Sequence, residues 1–197
     1  MKLITILLTF LLFHSCKPNF TGGNHEKQKD LQFEGSSLVT DKSGLTLSYA
    51  VLKTIHGPMK VRFFPQKAPN SIKRILHLIN SGFYDGLTFH RVIKNFIIQA
   101  GDPTKLGNGG SGIKLKQEFN NIPHVKGTLA LARGKEIDSA DSQFYIALST
   151  LPHLDNKYTI FGEVIKNIHV IDRIAKSPTG YSVAKMSAKL EIPEGEN

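Results

Sequence analysis

From Leu45 onward the chain alternates, with Leu45, Leu47, Tyr49 and Val51 separated by polar or small residues at the period of a strand that buries one face. A second strand, Met59 to Phe64, follows across the turn signal His56-Gly57-Pro58, and the two predict a hairpin. The period then changes. Pro69 opens a stretch in which Ile72, Ile75, Leu76 and Ile79 fall on one helical face, and Ser81-Gly82 closes it. Another helix is predicted where Ile168, Ile171, Ile174 and Ala175 share a stripe that Ser177-Pro178 ends. Short β-rich pieces fill the remainder: Thr88 to Ile93, Phe96 to Gln99, Thr128 to Ala132, Gln143 to Leu148, Thr159 to Ile165 and Lys185 to Ile192. Eight strands and two helices result, an all-β pattern in which a closed barrel or a sandwich would shelter the sheet edges. Periodicity alone does not choose between those two.

Ahead of the alternating region stands a different kind of segment. Lys2 supplies a positive end, and Leu3 to Phe13 is an apolar run broken by Thr5 and Thr9. A membrane-spanning helix needs about 20 apolar residues, so a signal for export is expected rather than a transmembrane anchor. The run ends in Phe13-His14-Ser15-Cys16, where a small residue before the lone cysteine resembles the lipobox of bacterial lipoproteins. Phe13 and His14 depart from its usual Leu followed by a small residue. The expected organisation is a signal peptide over residues 1–15, lipidated Cys16 with a flexible polar tether over 16–44, one folded domain over 45–192 and a tail over 193–197. A single thiol excludes an internal disulfide, so that domain has to rely on its core. The bacterial cell envelope is the expected location. Lys17 is not the acidic residue associated with inner-membrane retention, which favours the outer membrane or the periplasmic face.

The chain has 197 residues and 40% hydrophobic content, enough for one domain with a real core. Its formal charge of +9 invites comparison with proteins that bind nucleic acid or anionic lipid, but Lys and Arg are scattered and no stripe of aromatics interleaves them. No nucleic-acid partner is therefore expected. Gly107-Asn108-Gly109-Gly110-Ser111-Gly112 satisfies the G-x-G-x-x-G spacing of dinucleotide-binding loops. Its context is wrong, because no buried strand precedes it and Ile113-Lys114-Leu115-Lys116 reads as extended, so a flexible glycine loop is expected instead. The eight histidines show no paired ligand spacing, and no G-x-S-x-G elbow is present, which argues against metal and conventional nucleophilic catalysis.

Three segments remain: Phe89-His90-Arg91-Val92-Ile93, then Phe96-Ile97-Ile98-Gln99-Ala100-Gly101-Asp102, and later Asp141-Ser142-Gln143-Phe144-Tyr145-Ile146. Together they resemble the cyclophilin family, whose members carry an F-H-R-x-I-x-x-F-x-x-Q-x-G-D run and a later S-Q-F-F or S-Q-F-Y run. The likeness extends from about Leu45 to Ile192 and takes in the glycine loop, Gly127 to Ala132, Leu154-Asp155-Asn156-Lys157-Tyr158 and Phe161-Gly162. It implies a closed eight-stranded antiparallel barrel capped by two helices, and peptidyl-prolyl cis/trans isomerase activity without a cofactor. Proline-containing unfolded or partly folded chains are the implied substrates, and a monomer is expected.

Carried over residue by residue, the resemblance gives Arg91 the catalytic role and Gln143 a supporting polar one shared with Gln99. It puts Phe96, Ile97, Tyr145 and Leu154 in the proline pocket, and Ala132 and Arg133 along the bound peptide, Arg133 standing where relatives often have Asn. His153 occupies the place of a Trp in many eukaryotic relatives, and Tyr158 that of a frequent His. Losing a large apolar donor at the rim counts against tight cyclosporin binding. His90, Asp102 and Asp155 are expected to be structural, since isomerisation needs no carboxylate base. The rival readings are a binding module that holds proline segments without turning them, and a basic lipoprotein that docks to nucleic acid or anionic lipid.

Overall fold

Hydrogen-bonded strands dominate the computed structural model, which describes residues 39–40, 46–47, 49–176 and 185–191, all within the unit Gly35–Asn197. In chain order these are β1 (Val39–Thr40), β2 (Thr46–Leu47), β3 (Tyr49–Thr54), β4 (Gly57–Phe63), α1 (Pro69–Asn80), β5 (Leu87–Thr88), β6 (Arg91–Ile93), β7 (Ile97–Ala100), β8 (Thr128–Leu131), β9 (Phe144–Ala147), β10 (Ile160–Lys166), α2 (His169–Ala175) and β11 (Lys185–Glu191). β1 and β2 pair with each other, within or beside the segment expected as tether. The other nine strands form one antiparallel sheet in the order β5-β11-β3-β4-β10-β8-β9-β7-β6.

That order corrects the expectation of a closed eight-stranded barrel. The piece Thr88 to Ile93 is not one strand but two, broken at Phe89 and His90. β5 pairs with β11 on one side and β6 with β7 on the other, so the two ends of the ladder belong to one chain segment. No pairing joins β5 to β6 among the described residues, and the curled sheet is open there. Phe89 is wholly buried at the break and anchors it in the core.

Local sequence explains the hairpin and α1. β3 and β4 meet through a two-residue turn, Ile55-His56, with Gly57 at φ +115° and Thr54 Oγ1 donating to the Gly57 carbonyl at 2.9 Å. The buried positions of β3 are Ala50 and Leu52, one step out of phase with the expected Tyr49 and Val51. Leu45 lies outside the described residues. α1 starts with Pro69 and buries Ile72, Ile75, Leu76, Leu78 and Ile79. Its first turn is capped from far along the chain, the Glu118 carboxylate accepting from the Asn70 and Ser71 amides at 2.9 and 2.8 Å. α2 buries Val170, Ile171 and Ile174, whereas Ile168 precedes the helix and is 38% exposed. The stop signal Ser177-Pro178 lies outside the described residues.

β7, β8 and β9 are buried on both faces and read as continuous apolar runs for that reason. Ile98, Ala100, Leu129, Leu131, Phe144 and Ile146 point into the main core with both helices. Their neighbours Ile97, Ala130, Tyr145 and Ala147 point the other way, into a second apolar cluster with Leu151 and Ile160. Period-two alternation thus splits three strands between the interior of the sheet and a site on its outer face.

Candidate active site

The outer face is organised by register. Arg91 on β6 is the direct partner of Gln99 on β7, Gln99 of Tyr145 on β9, Tyr145 of Ala130 on β8, and Ala130 of Ile160 on β10. Side chains directly opposite one another share a face, so an exposed guanidinium, a buried amide and a buried phenol stand in one row. Strands lie ~4.8 Å apart, which puts the Arg91 and Tyr145 backbones about 10 Å from each other.

A polar relay holds the cation end of the row. Arg91 Nη1 donates to Gln99 Oε1 at 3.1 Å, Gln99 Nε2 to Gln143 Oε1 at 2.8 Å, and Gln143 Nε2 to the carbonyls of Gly107 and Gly109 at 3.1 and 2.8 Å. Every amide donates in one sense, so their dipoles align and each bond strengthens the next. Arg91 makes no ion pair among the described residues and is exposed. Both glutamines are buried, which makes this restraint stiff.

The glycine loop that receives the relay is tied down rather than flexible. Asp102, itself buried, accepts from the Thr104 amide at 2.7 Å, the Thr104 hydroxyl at 2.8 Å and the Gly107 amide at 2.5 Å. Burial opposes its charge, but these bonds outweigh it and hold the carboxyl below the usual aspartate range. Asp141 accepts from the Ser111 amide at 2.9 Å, the Gly112 amide at 3.0 Å and the Ser111 hydroxyl. A Cβ on Gly109 would overlap the Asp102 carboxylate, and one on Gly110 would crowd that of Asp141. Close approach to two carboxylates, not a nucleotide phosphate, is what these glycines serve.

At the other end of the row, Phe96, Ala132, Leu154 and Tyr158 pack half-buried against Ile97 and Tyr145. Tyr158 meets Tyr145 edge to face, centroids 5.5 Å apart. His153 stacks on Phe96 at 5.9 Å and 12°. The Arg133 guanidinium lies 5.0 Å over the Tyr158 ring and donates through Nε to the Lys157 carbonyl at 3.1 Å, which fixes it at the edge of the apolar cluster. Leu154 is presented by a 3₁₀ turn, Pro152–Leu154, its amide donating to the Leu151 carbonyl at 3.0 Å.

All the expected site residues within the described chain therefore come together, as a relay of Arg91, Gln99 and Gln143 beside an apolar cluster that includes Phe96, Ile97, Ala132, Tyr145, Leu154 and Tyr158, with His153 and Arg133 at its edge. Cys16 lies outside the described residues. His90 is half-buried beside Gln143 with neither ring nitrogen in a bond of good geometry. Burial lowers its pKa against the pull of Asp102, in keeping with a structural place.

Sequence reasoning missed His124, which is wholly buried between the Asp155 carboxylate and the Tyr145 hydroxyl, each 2.8 Å away. Asp155, expected to be a loop residue, is its anchor, and those bonds from His124 hold the carboxyl below the aspartate range. No local pattern reveals such contacts, because the partners stand 31 and 21 residues away.

A curled antiparallel sheet with two helices carries an arginine in one row with an apolar cluster on its outer face. The family model described as cyclophilin type peptidyl-prolyl cis-trans isomerase/CLD matches residues 49–193. A peptidyl-prolyl cis-trans isomerase of Synechococcus elongatus is 40% identical over 136 residues, covering 65% of this chain and 93% of that protein. One of Helicobacter pylori is 35% identical over 145 residues, covering 72% and 88%. The crystal structure of a Cryptosporidium parvum cyclophilin type isomerase superposes with a TM-score of 0.69 at 29% identity, covering 74% of this chain and 98% of that one. A second crystal structure of that protein was obtained in the presence of the dipeptide Ala-Pro. The chain belongs to the cyclophilin-type peptidyl-prolyl cis/trans isomerase family. It is an isomerase acting on peptide bonds that precede proline.

Proposed function

We propose that Arg91 is the catalytic donor of this isomerase and that Phe96, Ile97, Tyr145 and Leu154 grip the proline ring while the preceding carbonyl turns. The amide resists rotation through resonance, with a barrier of ~18–20 kcal/mol, and no covalent bond has to change. Halfway through the turn the prolyl nitrogen regains a lone pair and becomes an acceptor. A catalyst that binds this twisted form better than either planar one lowers the barrier. Bringing a ~100 s process to milliseconds takes about 10⁵-fold, or roughly 7 kcal/mol of preferential stabilisation.

Arg91 suits that task because its guanidinium stays charged and carries several donors in a fixed fork. The observation that carries the reading is its tether: one donor is committed to Gln99, which Gln143 fixes in turn and which stands next to Tyr145 in the row. A donor already aimed needs no reorganisation when the lone pair appears. Ala132 and Arg133 lie along the peptide, and His153 and Tyr158 shape the rim. The Ala-Pro dipeptide used with the Cryptosporidium parvum relative supports a proline-sized pocket.

The relay can be tested apart from the donor. Gln143→Leu keeps the volume but strands the Gln99 amide and the glycine-loop carbonyls, and Arg91 loses its fixed aim. Turnover of an X-Pro peptide, followed by proteolysis of the trans form, is expected to fall roughly tenfold in kcat/KM, mostly in kcat. An unchanged kcat would remove the relay from the reaction.

The proposal extends to place and clients. The polypeptides served are proline-containing, unfolded or partly folded chains in the bacterial cell envelope, reached by a monomer held through lipid on Cys16 at the outer membrane or periplasmic face. Lys2, the apolar run Leu3 to Phe13 and Ser15-Cys16 support it. A labelled fatty acid fed to cells is expected to enter the wild-type protein, while Cys16→Ser accumulates as unlabelled precursor. Normal labelling of that variant would end the anchoring part and leave the isomerase untouched.

A further inference from the structure

Tyr145 enters its apolar cluster with a hydroxyl that has to be satisfied inside it, since the residue is only 3% exposed. Burial also pushes this hydroxyl far above its ordinary pKa, so it stays a donor. His124 meets it: Nε2 lies 2.8 Å from the Tyr145 oxygen, and the two rings stack at 12°. The far side of the same imidazole, Nδ1, lies 2.8 Å from Asp155 Oδ1. An ionised carboxylate only accepts, so Nδ1 carries the hydrogen, and in the neutral ring Nε2 is left to accept from Tyr145. The direction of the whole chain is set from the Asp155 end.

The backbone makes the same connection. The His124 amide donates to Asp155 Oδ1 at 2.8 Å, and its carbonyl accepts from the Leu151 amide at 2.9 Å, at the two ends of the turn that presents Leu154. His124 therefore joins the Tyr145 side of the apolar cluster to the Leu154 side. Being fully buried, it touches no substrate, and isomerisation asks for no acid or base that would explain a histidine there.

We propose that His124 is a positioning residue: by bridging Asp155 and the Tyr145 hydroxyl it holds the Tyr145 and Leu154 walls at the spacing that grips the proline ring. This rests on the reading that Tyr145 lines the proline pocket. Grip on the ring acts on planar and twisted substrate alike, so the effect belongs in KM rather than kcat.

The test is a four-protein cycle on the full chain, with KM and kcat for an Ala-Pro peptide measured for wild type, His124→Leu, Tyr145→Phe and the double variant. His124→Leu is expected to raise KM about tenfold with kcat within about twofold, because it leaves a buried hydroxyl unpaired. In Tyr145→Phe there is no hydroxyl to hold, and the same change is expected to move KM less than about twofold. An equal rise in both backgrounds, or none in either, overturns the proposal. Tyr145→Ala is the control for the pocket itself, since an unchanged KM there would take Tyr145 out of contact with proline and sink that reading first. Ring ¹⁵N NMR of the unsubstituted protein needs no variant to fold. A hydrogen on Nδ1 and a bare Nε2 are expected for His124, and a bare Nδ1 overturns the proposal.

Discussion

Arg91→Ala is expected to lower kcat/KM for an X-Pro peptide by about 10²–10³-fold, the usual consequence of removing one aimed donor from a developing acceptor. The fold should survive, because Arg91 is exposed on β6 and its described bond is the one to Gln99. Arg91→Lys is expected to recover only part of the rate. An ammonium restores the charge, but it is a point donor on a flexible stem and cannot both bond Gln99 and span the prolyl nitrogen and carbonyl oxygen. The measurement is protease-coupled isomerisation, with circular dichroism to check the fold. Equal rates for wild type and Arg91→Ala would leave the row of Arg91, Gln99 and Tyr145 without a catalytic member.

The largest effect on stability is expected at Gly101, just past β7. Its φ is +91°, a region that L side chains rarely adopt, and an added Cβ would overlap the Ser142 carbonyl oxygen and come within 2.9 Å of Gln143 Cα. Both obstacles are backbone, so nothing flexible can yield. The Ser142 hydroxyl also donates to the Gly101 carbonyl at 2.7 Å, and Gln143 is a member of the relay. Gly101→Ala is expected to cost roughly 3–5 kcal/mol, lowering Tm by about 10 °C or more, and to reduce kcat as Gln143 shifts. Gly86→Ala is the matched control: its φ is +77°, but nothing lies within 4 Å of the new Cβ. Only the backbone strain of about 1 kcal/mol should appear there. Similar melting temperatures for the two variants would refute the close-approach argument.

Much of this architecture was legible in the pattern of apolar positions. α1 could be read from Pro69, the stripe Ile72, Ile75, Leu76 and Ile79, and Ser81-Gly82, because a helix declares itself by local spacing and end signals. The hairpin was legible for the same reason, but its phase was not: Ala50 and Leu52 face the core while Tyr49 lies under Lys60, 4.9 Å from its ring. An alanine in a tight core and a tyrosine under a lysine ammonium reverse what hydrophobicity alone suggests. The break at Phe89-His90 was hidden because β5 pairs with β11, a strand far away in sequence, while β6 pairs with its near neighbour β7.

The site divides in the same way. Arg91, Gln99, Gln143 and the pocket residues sit in contiguous motifs that name the family, so their meeting followed from the resemblance. Asp102, Asp141, His124 and Asp155 act through contacts across loops. Asp141 reaches Ser111 over 30 residues, and His124 reaches Asp155 over 31. Each is an ordinary loop or buried residue until the fold brings its partner. The glycine loop shows the limit most clearly: its spacing suggests phosphate, its context suggests slack, and its neighbours turn out to be two carboxylates that accept its amides.

A crystal structure of the folded domain with an X-Pro peptide bound tests the central claim most directly. The account predicts the pyrrolidine ring enclosed by Phe96, Tyr145 and Leu154, with a free Arg91 donor within hydrogen-bonding reach of the carbonyl oxygen or nitrogen flanking the rotating bond. A proline ring seated elsewhere, or a guanidinium turned from the peptide toward solvent, would contradict it.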